Sequence, residues 1–163
     1  MPAPDPQAAL KRQIVASWSD ANVHVTFDMA FGGVPAAARG AKPAGQPFTL
    51  WRELEHLRLC ARDFLDYCRV PDYIEPPFPA GYWPAGDAPP DAAAWEASLA
   101  ACRNLQQEFA ALVLDPATDL FAPLPAGGEP RRTVLRQALA YLDHTGYHLG
   151  QVLLLRRLLG LGG

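Results

Sequence analysis

The chain carries four histidines, His24, His56, His144 and His148. His144 and His148 are four residues apart, which on a helix sets them on one face a turn from each other. Neutral imidazoles at that spacing can hold one Zn²⁺, Ni²⁺ or Fe²⁺ at about 2.0–2.1 Å. Many helices meet the spacing by chance, so a third donor must come from another element. His56 is the best placed. Glu53, His56, Cys60, Asp63 and Tyr67 follow steps of three and four, as do Gln137, Tyr141, His144, His148 and Gln151. If these two polar stripes face each other, three imidazoles meet and leave a coordination position open, the arrangement of a catalytic rather than a structural zinc. If they face water, the histidines are merely solvated.

Other residues could support such a site. Asp143, beside His144, and Gln151, three beyond His148, could fix the orientation of an imidazole; Asp143 is equally a solvated helix charge. His24 shares a stripe with Ser17, Asp20 and Asp28, and could serve as an orienting donor, a fourth ligand or a surface residue. Cys60 stands one turn from His56 as a possible ligand or nucleophile, or as a small buried apolar residue. Glu53, Asp63 and His24 are the choices for a general base, a question of geometry. Gly146 and Gly150 each cost a helix about 1 kcal/mol relative to alanine, so close approach of a neighbouring helix, a metal or a substrate is expected there. Other chemistries fit worse. Only Glu53 and His56 offer the Glu-x-x-His spacing that a di-iron bundle needs twice. No CxxCH, GxxxxGK[ST] or GxSxG motif is present.

The elements that must carry these residues are marked by proline. All 17 prolines fall outside four windows, 7–34, 48–70, 91–115 and 131–163. A proline costs a helix interior about 3 kcal/mol through its missing amide donor and its clash with the preceding turn, so the partition predicts four long helices. Pro6, Pro47, Pro90 and Pro130 stand where first turns would begin, and Gly160 follows the last apolar repeat. Arg156 and Arg157 suit the carbonyl end of the last helix. Apolar residues recur at helical steps: Leu10, Ile14, Trp18, Ala21, Val25 and Met29 in the first window; Leu50, Leu54, Leu57, Ala61, Phe64 and Cys68 in the second. Trp95, Leu99, Cys102, Leu105, Phe109 and Leu112 form the third stripe, and Leu135, Leu139, Leu142, Leu149 and Val152 the fourth. The class is all-α, a four-helix bundle over residues 1–163 as one domain. The linkers, roughly 13, 20 and 15 residues, exceed those of a simple up-down bundle and predict long crossing connections. The second holds Tyr73, Phe78, Tyr82 and Trp83 among its prolines, either a lid over one end of the core or the apolar wall of a ligand pocket.

Composition excludes several function classes. A net charge of −3 with 19% charged residues in a chain of 163 argues against a nucleic-acid partner. No apolar run approaches a bilayer span, no secretory signal opens the chain, and three cysteines without CxxC spacing argue against a disulfide framework. A cytoplasmic protein with no membrane partner is expected.

Three segments together resemble the DinB-like (damage-inducible) superfamily: Trp51-Arg-Glu-Leu-Glu-His56-Leu-Arg58 with Asp63 beyond it, Asp143-His144-Thr-Gly-Tyr147-His148-Leu-Gly150-Gln151, and the closing Arg156-Arg157-Leu-Leu-Gly160. The weaker Asn22-Val-His24-Val-Thr-Phe27-Asp28 segment extends the likeness to the first helix. The resemblance implies a four-helix bundle holding a divalent metal, zinc or nickel, through three histidines at the positions of His56, His144 and His148. It further implies a thiol-dependent transferase, an isomerase or a hydrolase acting on a small molecule or low-molecular-weight thiol, and a homodimer. A non-enzymatic metal- or ligand-binding bundle of a stress response is the alternative.

Overall fold

The computed structural model describes residues 5–20, 24–126 and 132–162. Among the described residues there are six α-helices: α1 (Pro6–Ser19), α2 (Phe27–Phe31), α3 (Ala36–Arg39), α4 (Leu50–Arg69), α5 (Ala92–Leu114) and α6 (Val134–Leu158), with a 3₁₀ turn at Ala80–Tyr82. No strand occurs among the described residues; a single isolated bridge pairs Pro123 with Thr133. No helix there is long and apolar enough to cross a membrane.

The starts of the long helices follow cap chemistry. Side chains of Asp5, Thr49, Asp91 and Thr133 accept from the backbone N–H groups of Gln7, Arg52, Ala94 and Arg136. Pro6 is the first residue of α1, whereas Pro47 and Pro90 precede their caps. Pro130 lies outside the described residues. At the far end of α6, Gly160 takes φ 73° while its N–H bonds to the Arg157 carbonyl and that of Leu161 to the Arg156 carbonyl. This is a Schellman stop, which needs a left-handed residue. Arg156 serves a different helix end from the one expected: its guanidinium donates to the carbonyls of Ala30 and Gly32 at the end of α2.

The first window departs from the expected continuous helix. α1 stops at Ser19: Asp20 turns to an extended backbone while its N–H still bonds the Ala16 carbonyl, and the Ser19 hydroxyl bonds the Val15 carbonyl and Asp20. Thr26 then caps a new short helix. Ile14 and Trp18 are buried as expected, but Met29 is 56% exposed, and Ala21 lies outside the described residues. The α4 and α5 stripes are buried or packed against the core throughout. On α6 the phase shifts: Leu139 is exposed, while Gln137, Tyr141 and His148 of the stripe read as polar are buried.

Two apolar clusters form the interior. One joins the first half of α4, the first half of α5 and the last part of α6 to α2 and α3. The other joins the second halves of α4 and α5 and the start of α6 to α1. α4 and α5 therefore run in the same direction and α6 against them. Each of α4 and α1 packs between α5 and α6, so consecutive long helices α1 and α4, and α5 and α6, sit diagonally and their connections must cross. A parallel pair also needs a return, and residues 70–91 supply it as a strap along α4. Tyr73 and Tyr82 donate to Asp63, the Tyr82 carbonyl meets His56, and Thr49 donates to the Asp87 carbonyl at 2.6 Å. The aromatic linker thus flanks the bundle instead of closing one end. The third connection does cross an end, with Leu120 wholly buried there and Lys11 bonded to the carbonyls of Asp115 and Thr118.

Candidate metal centre

Between the two apolar clusters, the faces of α4 and α6 bring three imidazoles together. His56 Nε2 lies 3.1 Å from His144 Nε2 and 3.1 Å from His148 Nε2. The other ring nitrogens explain this orientation. His56 Nδ1 stands 2.6 Å from the Tyr82 carbonyl oxygen, and His148 Nδ1 2.7 Å from Glu53 Oε2. Both partners only accept, so each Nδ1 carries the proton and each Nε2 presents a bare lone pair. Lone pairs 3.1 Å apart repel unless a cation lies between them. Two nitrogens each about 2.0–2.1 Å from a common ion stand about 2.8–3.4 Å apart for bond angles between square and tetrahedral. The spacing and the tautomers both fit a divalent metal.

Burial favours the neutral form of His56, which is buried, and of His144, which is partly so. Desolvation, chiefly, lowers the pKa of His56 to about 4, against the Tyr82 carbonyl, which raises it, and with the charge of His148, which lowers it further. Desolvation again leads at His144, with the charges of His148 and His56 behind it, taking the pKa to about 3.

His56 is held on its face as well as its edge. The Trp83 ring stacks on it at 3.9 Å and 6°, and Phe48 stacks on Trp83 at 4.4 Å and 7°. Cys60 Sγ lies 3.6 Å from His56 Nδ1 and 3.7 Å from Nε2. A sulfur nearly equidistant from both nitrogens sits against the ring face and not along the Nε2 lone pair. Cys60 nevertheless forms, with His56 and His144, a second group whose donor atoms lie within 4.8 Å of one another. Burial, and Asp63 beside it, push the Cys60 thiol up to about 12.

A pocket of about 380 Å³ borders the cluster, lined by His56, His144, Cys60, Asp63, Glu75 and Arg132 with the rings of Phe64, Phe78 and Tyr82. Of the linker aromatics, Phe78 and Tyr82 form its wall. Asp63 is buried and its pKa is raised, mainly by desolvation and with Glu75 adding; the Tyr73 and Tyr82 phenols and Arg132 pull the other way.

The remaining residues singled out in the sequence lie elsewhere. His24 is exposed, its Nδ1 2.8 Å from the Val25 carbonyl. With Ser17, Asp143, Gly146 and Tyr147 it lines a separate pocket of about 440 Å³. The helix break at Ser19 removes it from any stripe with Ser17. A Cβ at Gly146 would stand 3.4 Å from His24 Nε2, so the close neighbour there is this ring; Gly150 faces open space. Asp143 is exposed and Gln151 half-buried. The observed Nδ1 partners are Glu53 and the Tyr82 carbonyl. Glu53 carried a signal, a carboxylate three residues before His56 on its stripe, but its partner proves to be His148. The carbonyl carried none, because a backbone acceptor has no residue type.

The chain matches the DinB superfamily over residues 21–152 and belongs to it. No curated protein and no solved structure matches the chain.

Proposed function

We propose that this DinB superfamily member is a metal-dependent enzyme in which His56, His144 and His148 hold one divalent cation, zinc or nickel. The reaction is transfer or hydrolysis of a small molecule taken into the adjoining pocket. One observation carries the reading: two imidazoles whose Nδ1 protons are committed to the Tyr82 carbonyl and Glu53 turn bare Nε2 atoms toward the same point as His144. Bound there, the cation supplies a Lewis acid that lowers the pKa of water or of a small thiol.

The chain's own residues do the rest. Glu53, 1% exposed, keeps the proton of His148 on Nδ1, and the Tyr82 carbonyl does the same for His56. Trp83 covers one face of His56 and excludes water from it. Phe64, Phe78 and Tyr82 offer apolar wall for the body of a substrate. Of the three residues considered as bases, Glu53 is tied to His148 and His24 lies in another pocket, while Asp63 borders the substrate space two helical turns along α4 from His56, where it meets the body of a substrate and not its reacting end.

A second reading, a non-enzymatic bundle with a closed donor set, draws on Cys60 near His56 and His144; the sulfur's place over the ring face weighs against it. Elemental analysis of the purified protein tests the proposal. About one equivalent of metal in the parent and its loss in both His56→Ala and His148→Ala supports it. Undiminished metal in either variant refutes the donor set. A thiolate charge-transfer band in cobalt-substituted protein without added thiol, lost in Cys60→Ala, favours the closed set.

A further inference from the structure

The pocket beside the imidazoles is charged unevenly. Asp63 and Glu75 face one cation, Arg132, which is bonded to Glu75 at 2.7 Å and lies over the Tyr67 ring at 4.4 Å. Among the described residues no ion pair to Asp63 is formed; the Tyr73 and Tyr82 phenols donate to it, and Arg132 favours its charged form from beyond bonding distance. The residue is 7% exposed, it lines the pocket, and its enclosed Oδ1 has no hydrogen-bond partner. A buried carboxylate oxygen without a donor is costly, and a carboxylate with a pocket in front of it can be satisfied by a ligand. The group that best matches is a protonated amine, which brings both charge and hydrogen-bond donors.

We infer that Asp63 forms an ammonium subsite, and that the substrate is a small amine-bearing molecule whose opposite end reaches the imidazole cluster. Asp63 lies seven residues from His56 on α4, about 10.5 Å along the helix axis, so the amine and the reacting end belong to a molecule several bonds long. Phe64 and Phe78 flank the path between them. The inference rests on the metal-centre reading above, and the experiment separates the two.

Cobalt-loaded protein is titrated with 6-aminohexane-1-thiol, 6-mercaptohexan-1-ol and 6-mercaptohexanoic acid, following the metal's visible spectrum. The aminothiol is expected to bind about tenfold more tightly than the alcohol, the size of one charge-assisted hydrogen bond, with the acid weakest. Within Asp63→Asn, the ratio between aminothiol and alcohol should fall to within twofold of unity. The parent ranking needs no variant, so it stands as a test even if Asp63→Asn folds poorly. Equal affinities, a preference for the acid, no binding of any of the three, or an unchanged ratio in Asp63→Asn overturns the subsite while the metal centre stands. Failure to take up cobalt removes the metal-centre reading and the subsite with it.

Discussion

Lowering the pH should destabilise the chelator-treated protein by a calculable amount. His56 and His144 have folded pKa values of about 4 and about 3, against 6.5 for an exposed imidazole. The folded pKa is the lower one, so the unfolded chain binds more protons and stability rises with pH. The contribution is fully present above about 6.5 and is lost as pH falls toward the folded values. Between pH 7 and pH 5 each group loses about 1.8 kcal/mol, because at pH 5 the unfolded imidazole is protonated and the buried one is not. Together they amount to about 3–4 kcal/mol, a figure that barely depends on whether the folded pKa is 3 or 4. Partial solvent at His144 trims it. The raised pKa of Asp63 acts in the opposite sense, and the lowered pKa of Glu55 matters only below about 4.5. Urea unfolding at pH 7, 6 and 5 gives the measurement, and His144→Gln should show about half the parent's drop. A parent whose unfolding free energy stays within about 1 kcal/mol over that range would refute the claim that these rings are buried neutral.

Three further outcomes follow from named contacts. Glu53→Gln should weaken metal binding by about 10–100-fold, the usual consequence of losing the carboxylate behind a ligating imidazole; competition with a chromogenic chelator reads it. Leu54→Ala, at a fully buried position in the first apolar cluster, should cost about 2–5 kcal/mol in urea unfolding. Gly160→Ala, at φ 73°, should cost about 1 kcal/mol in the same assay through strain at the α6 stop.

Much of this was readable from residue types because the relevant physics is local. Proline placement bounded α4 and α5, Gly160 marked the end of α6, and the four-residue step fixed His144 beside His148. What was not readable depends on tertiary context. The end of α1, where Asp20 turns to an extended backbone and Thr26 caps a new helix, is a break that periodicity does not record. The phase of α6 misleads because the burial of Gln137, Tyr141 and His148 serves the site and the core at once, and a polar residue facing inward reads as a surface residue. The partner of His148 comes from 95 residues away, and the partner of His56 is a main-chain oxygen. The strap's course along α4 becomes intelligible only once α4 and α5 are known to be parallel.

That parallel pairing bears on how the molecule assembles. Neighbouring long helices here cannot zip together as short hairpins, since α4 and α5 need the whole of residues 70–91 between them and α5 and α6 stand across a diagonal. The long helices pair only with partners distant in sequence, and chains that need such pairings fold more slowly than up-and-down bundles of equal length. During synthesis the first five helices would wait, half-covered, for α6 to leave the ribosome, because it packs on α1, α2 and α4. Because His144 and His148 lie on α6 and His56 on α4, the three imidazoles meet only once α6 has emerged and docked.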